Sequence, residues 1–248
     1  MRYSGLMRLS FLVLGLAVLP LATGCGSNPF NPPTDLGGGL PPETPLNDTP
    51  QNTMLRFEAT YEHQVLAQYE LLFASNFRFS FSLDSDPLLV SQYGTNWGKD
   101  DEVESTSHLF DGFTNEAGVF VPGAADIALT LDGKQFVDDP TIDPDSSVYY
   151  KFVIVPTISL LLIVPGTDGY EIVAPHNFYL VRGDKAGREG ILDANQQATV
   201  DRWYIWKWED NSPRLGAVAP RLASLGADGG RATTTSWGNL KGYYAGAK

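Results

Sequence analysis

The sequence has very little cysteine and little positive charge. Cys25 is the only cysteine among 248 residues, which excludes an intramolecular disulfide and a cysteine-based metal cluster. Lys and Arg number 17 against 29 Asp and Glu, giving a formal net charge of −12. Such a surface repels nucleic-acid phosphates and anionic lipid headgroups. We therefore expect no nucleic-acid partner, and any membrane attachment must be hydrophobic or covalent.

Motifs for cofactors, metals and nucleophiles are also absent from the sequence. It contains no GxSxG nucleophile elbow, and its glycine-rich stretches do not follow a predicted strand as a phosphate loop would. The three histidines lack the HExxH spacing of a zinc site. Four acidic residues do fall in one segment, but without EF-hand spacing and with prolines among them, so we interpret it as an ordinary loop: Asp138, Asp139, Asp143 and Asp145. We expect no cofactor and no metal.

The N-terminal residues have the features of a secretory signal. Arg2 and Arg8 precede the apolar run Leu9–Leu21, which is shorter than the ~20 residues needed to span a bilayer. Small residues then precede Cys25. This arrangement resembles the lipobox of bacterial lipoproteins, in which the signal is cut before the cysteine and its thiol carries lipid. The resemblance implies lipid attachment at Cys25 in the cell envelope, on the outer membrane if the cell has one; the alternative is a cleaved signal and a secreted or periplasmic protein.

Composition divides the remaining chain into three parts. Residues 25–48 are rich in Pro and Gly and contain no Lys or Arg, which predicts a disordered tether. Residues 49–211 carry the apolar periodicity of one folded domain. Residues 212–248 form a low-complexity extension, in which Trp237, Leu240 and Tyr244 predict a short helix that docks back on the domain.

Within the domain, helical patterns precede strand patterns. Apolar residues recur every three or four positions from Met54 to Val65 and from Leu66 to Phe73, and a third, exposed helix is predicted over Lys99–Phe110. Alternation by two begins at Phe77 and returns in the long segments after Ile127. Helices followed by strands with tight turns predict an α+β fold, with a curved antiparallel sheet wrapped around the N-terminal helices.

The most aromatic segment is Asp201–Asp210, DRWYIWKWED. Strict alternation places Trp203, Ile205 and Lys207 on one face and the other three aromatic residues, Tyr204, Trp206 and Trp208, on the opposite face. Bulky groups on both faces predict a central strand that closes the sheet. We expect one row of rings to pack beneath the helices.

Four segments together resemble the nuclear transport factor 2-like (SnoaL-like) cone superfamily, and in particular its bacterial lipoproteins. They are TYEHQVLAQYELLFASNFRFSF (Thr60–Phe81), WGKDDEVESTSHLF (Trp97–Phe110), FYLVRGD (Phe178–Asp184) and DRWYIWKWED. The resemblance covers about Thr49 to Asp210. It implies a cone whose enzymes place Asp, His or Tyr inside the open end, but no enzyme motif of the superfamily is present onto which roles can be carried over.

Candidate site residues follow from this fold. His176 is the nominated acid/base residue, against the alternative of a strand-end or surface histidine. Five aromatic residues are predicted to line a pocket or else to fill the core: Tyr61, Tyr69, Phe79, Trp97 and Trp206. The leading functional hypothesis is a non-enzymatic envelope domain that binds a small apolar ligand or a protein partner. The alternatives are an isomerase- or hydrolase-type enzyme with its acid/base group in the cone, and a structural subunit that forms a homodimer through the sheet.

Overall fold

A computed structural model describes residues 39–166, 169–183, 199, 201–213, 223–225 and 230–246. The predicted signal peptide, Cys25 and the tether up to residue 38 lie outside the described residues, and so does most of the loop predicted over Arg182–Gly190. No helix in the described part of the chain is long and apolar enough to cross a membrane.

Five α-helices are described, and one of them, Pro87–Tyr93, was not predicted from the sequence, whose pattern there is ambiguous. They are α1 (Pro50–Glu62), α2 (Leu66–Glu70), α3 (Pro87–Tyr93), α4 (Lys99–Asp111) and α5 (Trp237–Tyr244). Thr49 caps α1, and its side chain accepts a hydrogen bond from the backbone N–H of Asn52 at 3.1 Å. The break between the first two apolar stripes predicts a bend near His63 and Gln64, and the chain turns there, with a φ of 54° at Gln64.

The strands form one large sheet and one short hairpin. They are β1 (Phe73–Ser80), β2 (Asn96–Trp97), β3 (Phe113–Thr114), β4 (Phe120–Val121), β5 (Asp126–Asp132), β6 (Gln135–Asp138), β7 (Tyr150–Ile163), β8 (Tyr170–Arg182), β9 (Trp203–Asp210), β10 (Ala223–Leu225) and β11 (Gly230–Thr234). The main sheet runs β2-β1-β9-β8-β7, and β7 pairs with both β5 and β6. Most pairs are antiparallel, but β1 and β9 are parallel.

Pro156 divides β7 as its chemistry requires. Proline has no N–H to contribute to the sheet and is tolerated at a bulge or break. The register of β7 with β8 shifts between Val155 and Ile158, around this proline. On the other edge of β7, β6 pairs before the proline and β5 pairs after it. A proline within the strand pattern over Val148–Val164 predicts a bulge, a break or an edge position, and the shifted register confirms the interruption.

The inner face of the sheet packs against α1, α2 and α4. Phe57 of α1 lies 5.5 Å from Phe178 and 5.3 Å from Trp208 between ring centroids. The α1 carboxylates also reach the edge strand β5, because Glu58 accepts the N–H of Leu131 at 2.7 Å. The predicted α+β fold, with a curved sheet around the helices, is confirmed.

The strict alternation predicted for β9 is wrong. Ile205 pairs with Leu180 and Lys207 pairs with Tyr179, so Trp206 is an extra residue between two consecutive pairs. This bulge reverses the alternation. Trp208 therefore joins Trp203 and Ile205 in the inner core, while Trp206 lies with Tyr204 on the outer face.

The C-terminal extension is integrated into the domain. β11 pairs in parallel with the first residues of β8, and α5 packs along α4 with Trp237, Leu240 and Tyr244 buried. Helix α4 is consequently not the exposed helix that its acidic first turn suggested. The end of the predicted tether also contacts the domain, since Asn47 and Trp203 share a backbone hydrogen bond of 2.7 Å and a side-chain hydrogen bond of 2.9 Å.

Candidate functional site

A buried carboxylate, Glu102, lies at the centre of the cone interior. Three acidic residues begin α4, and Glu102 is the one turned inward, with none of its surface exposed. Its Oε1 accepts the hydroxyl proton of Tyr69, and its Oε2 accepts Nε1–H of Trp97 at 3.2 Å. The ammonium group of Lys241, on α5, also donates to Oε1. One carboxylate thus joins α2, β2, α4 and α5.

Aromatic rings surround the Lys241 ammonium group. Its Nζ lies 4.7 Å from the ring centre of Trp208 and 5.2 Å from that of Phe79, within the range of a cation–π interaction. Lys241 is 3% exposed, and burial lowers the pKa of its ammonium group while Glu102 opposes that shift. Burial and the Glu102 charge raise the pKa of the Tyr69 hydroxyl well above its ordinary value, so Tyr69 remains a hydrogen-bond donor.

His176 lies on the inner face of β8 and is completely buried. Its Nδ1 accepts Nε1–H of Trp208 at 2.9 Å, which places the imidazole hydrogen of the neutral ring on Nε2. That nitrogen is 3.7 Å from Oδ1 of Asp210 and has no hydrogen-bond partner among the described residues. Burial lowers the pKa of His176 to about 4, although the Asp210 charge opposes the shift. His176 is therefore neutral at physiological pH.

Two buried carboxylates hold the N-terminus of α5. Asp86 accepts the hydroxyl proton of Ser236, and Asp210 accepts the backbone N–H of Gly238 at 2.8 Å. Ser236 in turn caps the helix by accepting the N–H of Asn239 at 3.0 Å. Burial raises the pKa of Asp86 to about 7, and the nearby Asp210 charge acts in the same direction.

The structure brings four of the five predicted pocket residues together. Tyr61, Tyr69, Phe79 and Trp97 are at most 4% exposed and share one core. Trp206 does not join them, because the β9 bulge turns it to the outer face. Trp237 of α5 packs against this core: its ring lies 5.4 Å from that of Tyr61, 5.6 Å from that of His176 and 4.9 Å from that of Trp208.

Sequence reasoning missed the charged groups of this interior. Acidic residues in the first turn of a helix are expected to complement its dipole, but Glu102 also stands four and seven positions before Thr106 and Leu109, on the buried stripe of α4. Lys241 stands four residues after Trp237 and one after Leu240, again on a buried face. A charge at helical spacing within an apolar stripe was the available signal in both cases.

The outer face of the sheet presents a second feature, a cavity of about 110 Å³. It is lined by Asn76, Ile142, Tyr150, Val181 and Trp206. Outside it, the outward side chains of β7 and β8 are mostly apolar. Phe152 and Tyr179 are in contact at 4.8 Å between ring centroids, and Val173 is 52% exposed.

The described residues contain no group of three or more His, Cys, Asp or Glu side chains that could hold a metal ion. In the interior, Glu102 and the surrounding rings can accept hydrogen bonds and bind a cation. On the outer face, the side chains of β7 and β8 can make apolar contacts.

The element order and the sheet define an α+β protein in which helices pack against one face of a large sheet. Helix, helix, phenylalanine-rich strand, further helices and a meander of long strands follow one another as the resemblance predicted. No family model matches the sequence, and no curated protein matches it.

Several solved structures share features of this fold. A protein provisionally called a scytalone dehydratase, from Novosphingobium aromaticivorans, is 8% identical, with 64% of this chain and 78% of that chain covered and a TM-score of 0.41. A nuclear transport factor 2-like protein of unknown function in nutrient uptake, from Rhodospirillum rubrum, is 13% identical (63% and 92% covered, TM-score 0.36). An uncharacterised protein with a cystatin-like fold from Caulobacter vibrioides is 12% identical (67% and 89% covered, TM-score 0.39). At these identities the similarity concerns the fold alone.

Proposed function

We propose that the chain is a lipid-anchored, non-enzymatic subunit of the cell envelope that self-associates through the outer face of its sheet. The observation that carries this proposal is the division of the two sheet faces. The inner face, where the superfamily's enzymes place their catalytic groups, is filled by α5 and its Trp237. The outer face carries apolar side chains toward solvent.

The filled interior argues against catalysis by His176. A general base needs hydrogen-bond reach to a substrate, and His176 is enclosed by Trp208 and Trp237 at 5.9 and 5.6 Å between ring centroids. The same rings occupy the volume that a small apolar ligand would need. Both the enzyme hypothesis and the pocket-ligand hypothesis are therefore weaker than association through a surface.

The apolar character of the outer face runs across two long paired strands. On β7 the outward residues include Phe152, Ile154, Leu161 and Ile163, and on β8 they include Val173 and Tyr179. Ser159, Glu171 and Asn177 also point outward, so the face is apolar with a few polar positions, a composition that protein interfaces share. Ile163 and Val173 are 44% and 52% exposed, so this surface is accessible.

Charge favours a second copy of the chain as the occupant. The net charge of −12 makes two copies repel each other over most of their surfaces. On β9 one pair of outer-face charges compensates locally, because Lys207 lies 2.5 Å from Glu209 and 4.7 Å from the ring centre of Tyr179. An apolar face with neutralised charges, present identically on each copy, is suited to an isologous dimer.

Light scattering on the chain from residue 39 onward, purified without its anchor, tests this proposal. We expect a molar mass twice that of the monomer at about 50 µM protein, a concentration at which a micromolar dimer is largely assembled. Val173→Glu should shift the mass to that of the monomer, because each interface would bury two carboxylates. The matched control is Val119→Glu, since Val119 is 58% exposed on the β3–β4 turn and should leave the mass unchanged. A monomeric wild-type chain, or equal masses for the two variants, would refute self-association through this face.

A further inference from the structure

Helix α5 inserts a charged side chain where the rest of its buried surface is apolar. Lys241 is 3% exposed, and it lies on the same side of the helix as Trp237 and Tyr244, both of which are completely buried. Replacing a buried ion pair by apolar residues is often neutral or stabilising. Packing alone therefore does not account for a lysine at this position.

The groups that receive the Lys241 ammonium group belong to the cone and not to α5. Glu102 is on α4, Phe79 on β1 and Trp208 on β9. Tyr69 and Trp97 hold both oxygens of the Glu102 carboxylate independently of α5. If Lys241 were withdrawn, the Glu102 carboxylate would therefore keep its orientation. The ring faces of Phe79 and Trp208 would also remain in place.

The hold of α5 on the cone has identifiable weaknesses. It has only eight residues, two of them glycines, and helices of this length are unstable in isolation. Two buried polar atoms where α5 meets the cone have no hydrogen-bond partner among the described residues: Asp86 Oδ2 and His176 Nε2. Each such atom costs roughly 1–3 kcal/mol, which reduces the net free energy of docking.

We infer that the cone contains a receptor for a primary alkylammonium ion, formed by Glu102, Tyr69, Trp97, Phe79 and Trp208, and that Lys241 occupies it as an internal ligand. When α5 undocks, an external primary ammonium ion takes the place of Lys241. The ligand class follows from the contacts: the carboxylate requires an N–H donor, and the two ring faces favour a cation with a short apolar stem. A quaternary ammonium ion has no N–H to donate to Glu102, and a neutral alcohol has no charge.

Chemical rescue of Lys241→Ala in the otherwise complete chain tests the receptor. The atoms removed by this substitution correspond to n-propylammonium. We expect n-propylammonium chloride to raise the Tm of the variant saturably, by roughly 5–10 °C at 100 times the Kd. Equimolar tetramethylammonium chloride and n-propanol should give no saturable rise. The double variant Lys241→Ala/Glu102→Gln should lose the response to n-propylammonium, which shows that the carboxylate is the receptor group.

Hydrogen–deuterium exchange on the wild-type chain tests the displacement of Lys241. The N–H groups of Leu240 and Ala245 are bonded to the carbonyls of Ser236 and Lys241 at 3.1 and 2.8 Å, so their exchange reports undocking of α5. We expect n-propylammonium to accelerate exchange in the peptide that contains α5, relative to tetramethylammonium at the same ionic strength, while exchange in α1 is unchanged. If n-propanol raises the Tm of Lys241→Ala as n-propylammonium does, the site does not select an ammonium ion, and the proposed receptor is refuted. If n-propylammonium leaves hydrogen–deuterium exchange in α5 of the wild-type chain unchanged, an external ligand does not displace Lys241, and that part of the inference is refuted.

Discussion

The two buried groups at the N-terminal end of α5 should give the protein an unusual pH dependence of stability. Burial raises the pKa of Asp86 from 3.8 to about 7 and lowers that of His176 from 6.5 to about 4. Between pH 4 and 7 the folded state holds the Asp86 proton that the unfolded chain releases, so the free energy of unfolding falls as pH rises through this range. Between pH 6.5 and 4 the unfolded chain binds a proton at His176 that the folded state does not bind. The free energy of unfolding therefore falls as pH falls through this range.

The two effects are of similar size and opposite sign. At about 1.4 kcal/mol per pKa unit, Asp86 contributes ~4 kcal/mol and His176 ~3 kcal/mol over their windows. Their contributions nearly cancel between pH 4 and 6.5, and the Asp86 contribution acts alone just above this range. We therefore expect these two groups to leave the free energy of unfolding almost flat below pH 6.5.

Asp86→Asn separates the two contributions. The substitution keeps a side-chain oxygen for the Ser236 hydroxyl but removes the titration, so the His176 effect should appear alone. The difference in free energy of unfolding, variant minus wild type, should increase by ~4 kcal/mol from pH 4 to pH 8, because only the wild type loses the Asp86 contribution over this range. Urea unfolding at half-unit pH steps measures this difference. The matched control is Asp84→Asn, because Asp84 is exposed and should give a curve parallel to wild type. Parallel curves for Asp86→Asn and wild type would show that the Asp86 pKa is not raised.

Two further predictions concern helix packing and the anchor. Gly242→Ala should destabilise the protein by about 1–3 kcal/mol in urea unfolding, because the new Cβ would lie 2.4 Å from Cδ2 of Leu89; an unchanged midpoint would mean that α3 and α5 are not in close contact. Mass spectrometry of the mature N-terminus should find a lipid-modified Cys25, and Cys25→Ser should move the protein from the membrane to the soluble fraction. An unmodified Cys25, or cleavage elsewhere, would contradict the anchor.

The sequence predicted the parts of the fold that depend on periodicity. Apolar spacing identified α1, α2 and α4, and alternation identified β1, β5, β7 and β8. Pro156 correctly predicted an interruption in β7, because proline cannot donate to a sheet whatever its surroundings. Such signals are local, and they survive folding unchanged.

The orientation of Trp206 and the content of the cone could not be predicted in the same way. A bulge inserts one residue without a sequence signature of its own, so strict alternation assigned Trp206 and Trp208 to the same face. The partnership of Glu102 with Lys241 joins positions 139 residues apart, and no periodicity links them. Individually, each residue carried the signal of a charge within an apolar stripe.

The parallel pairing of β1 with β9 has a consequence for how the protein folds. β1 can pair with the nearby β2 early, but its other neighbour, β9, is available only after most of the chain has been made, because Phe73 pairs with Ile205. Contacts of such sequence separation slow folding, because a long loop must close before they form. Until β9 is in place, β1 and β8 each have an unpaired edge that can join another strand. A chain that emerges N-terminus first through a membrane would thus pass through a stage with two open edges, and aggregation would be most probable at that stage, before Trp203–Asp210 arrives to close the sheet.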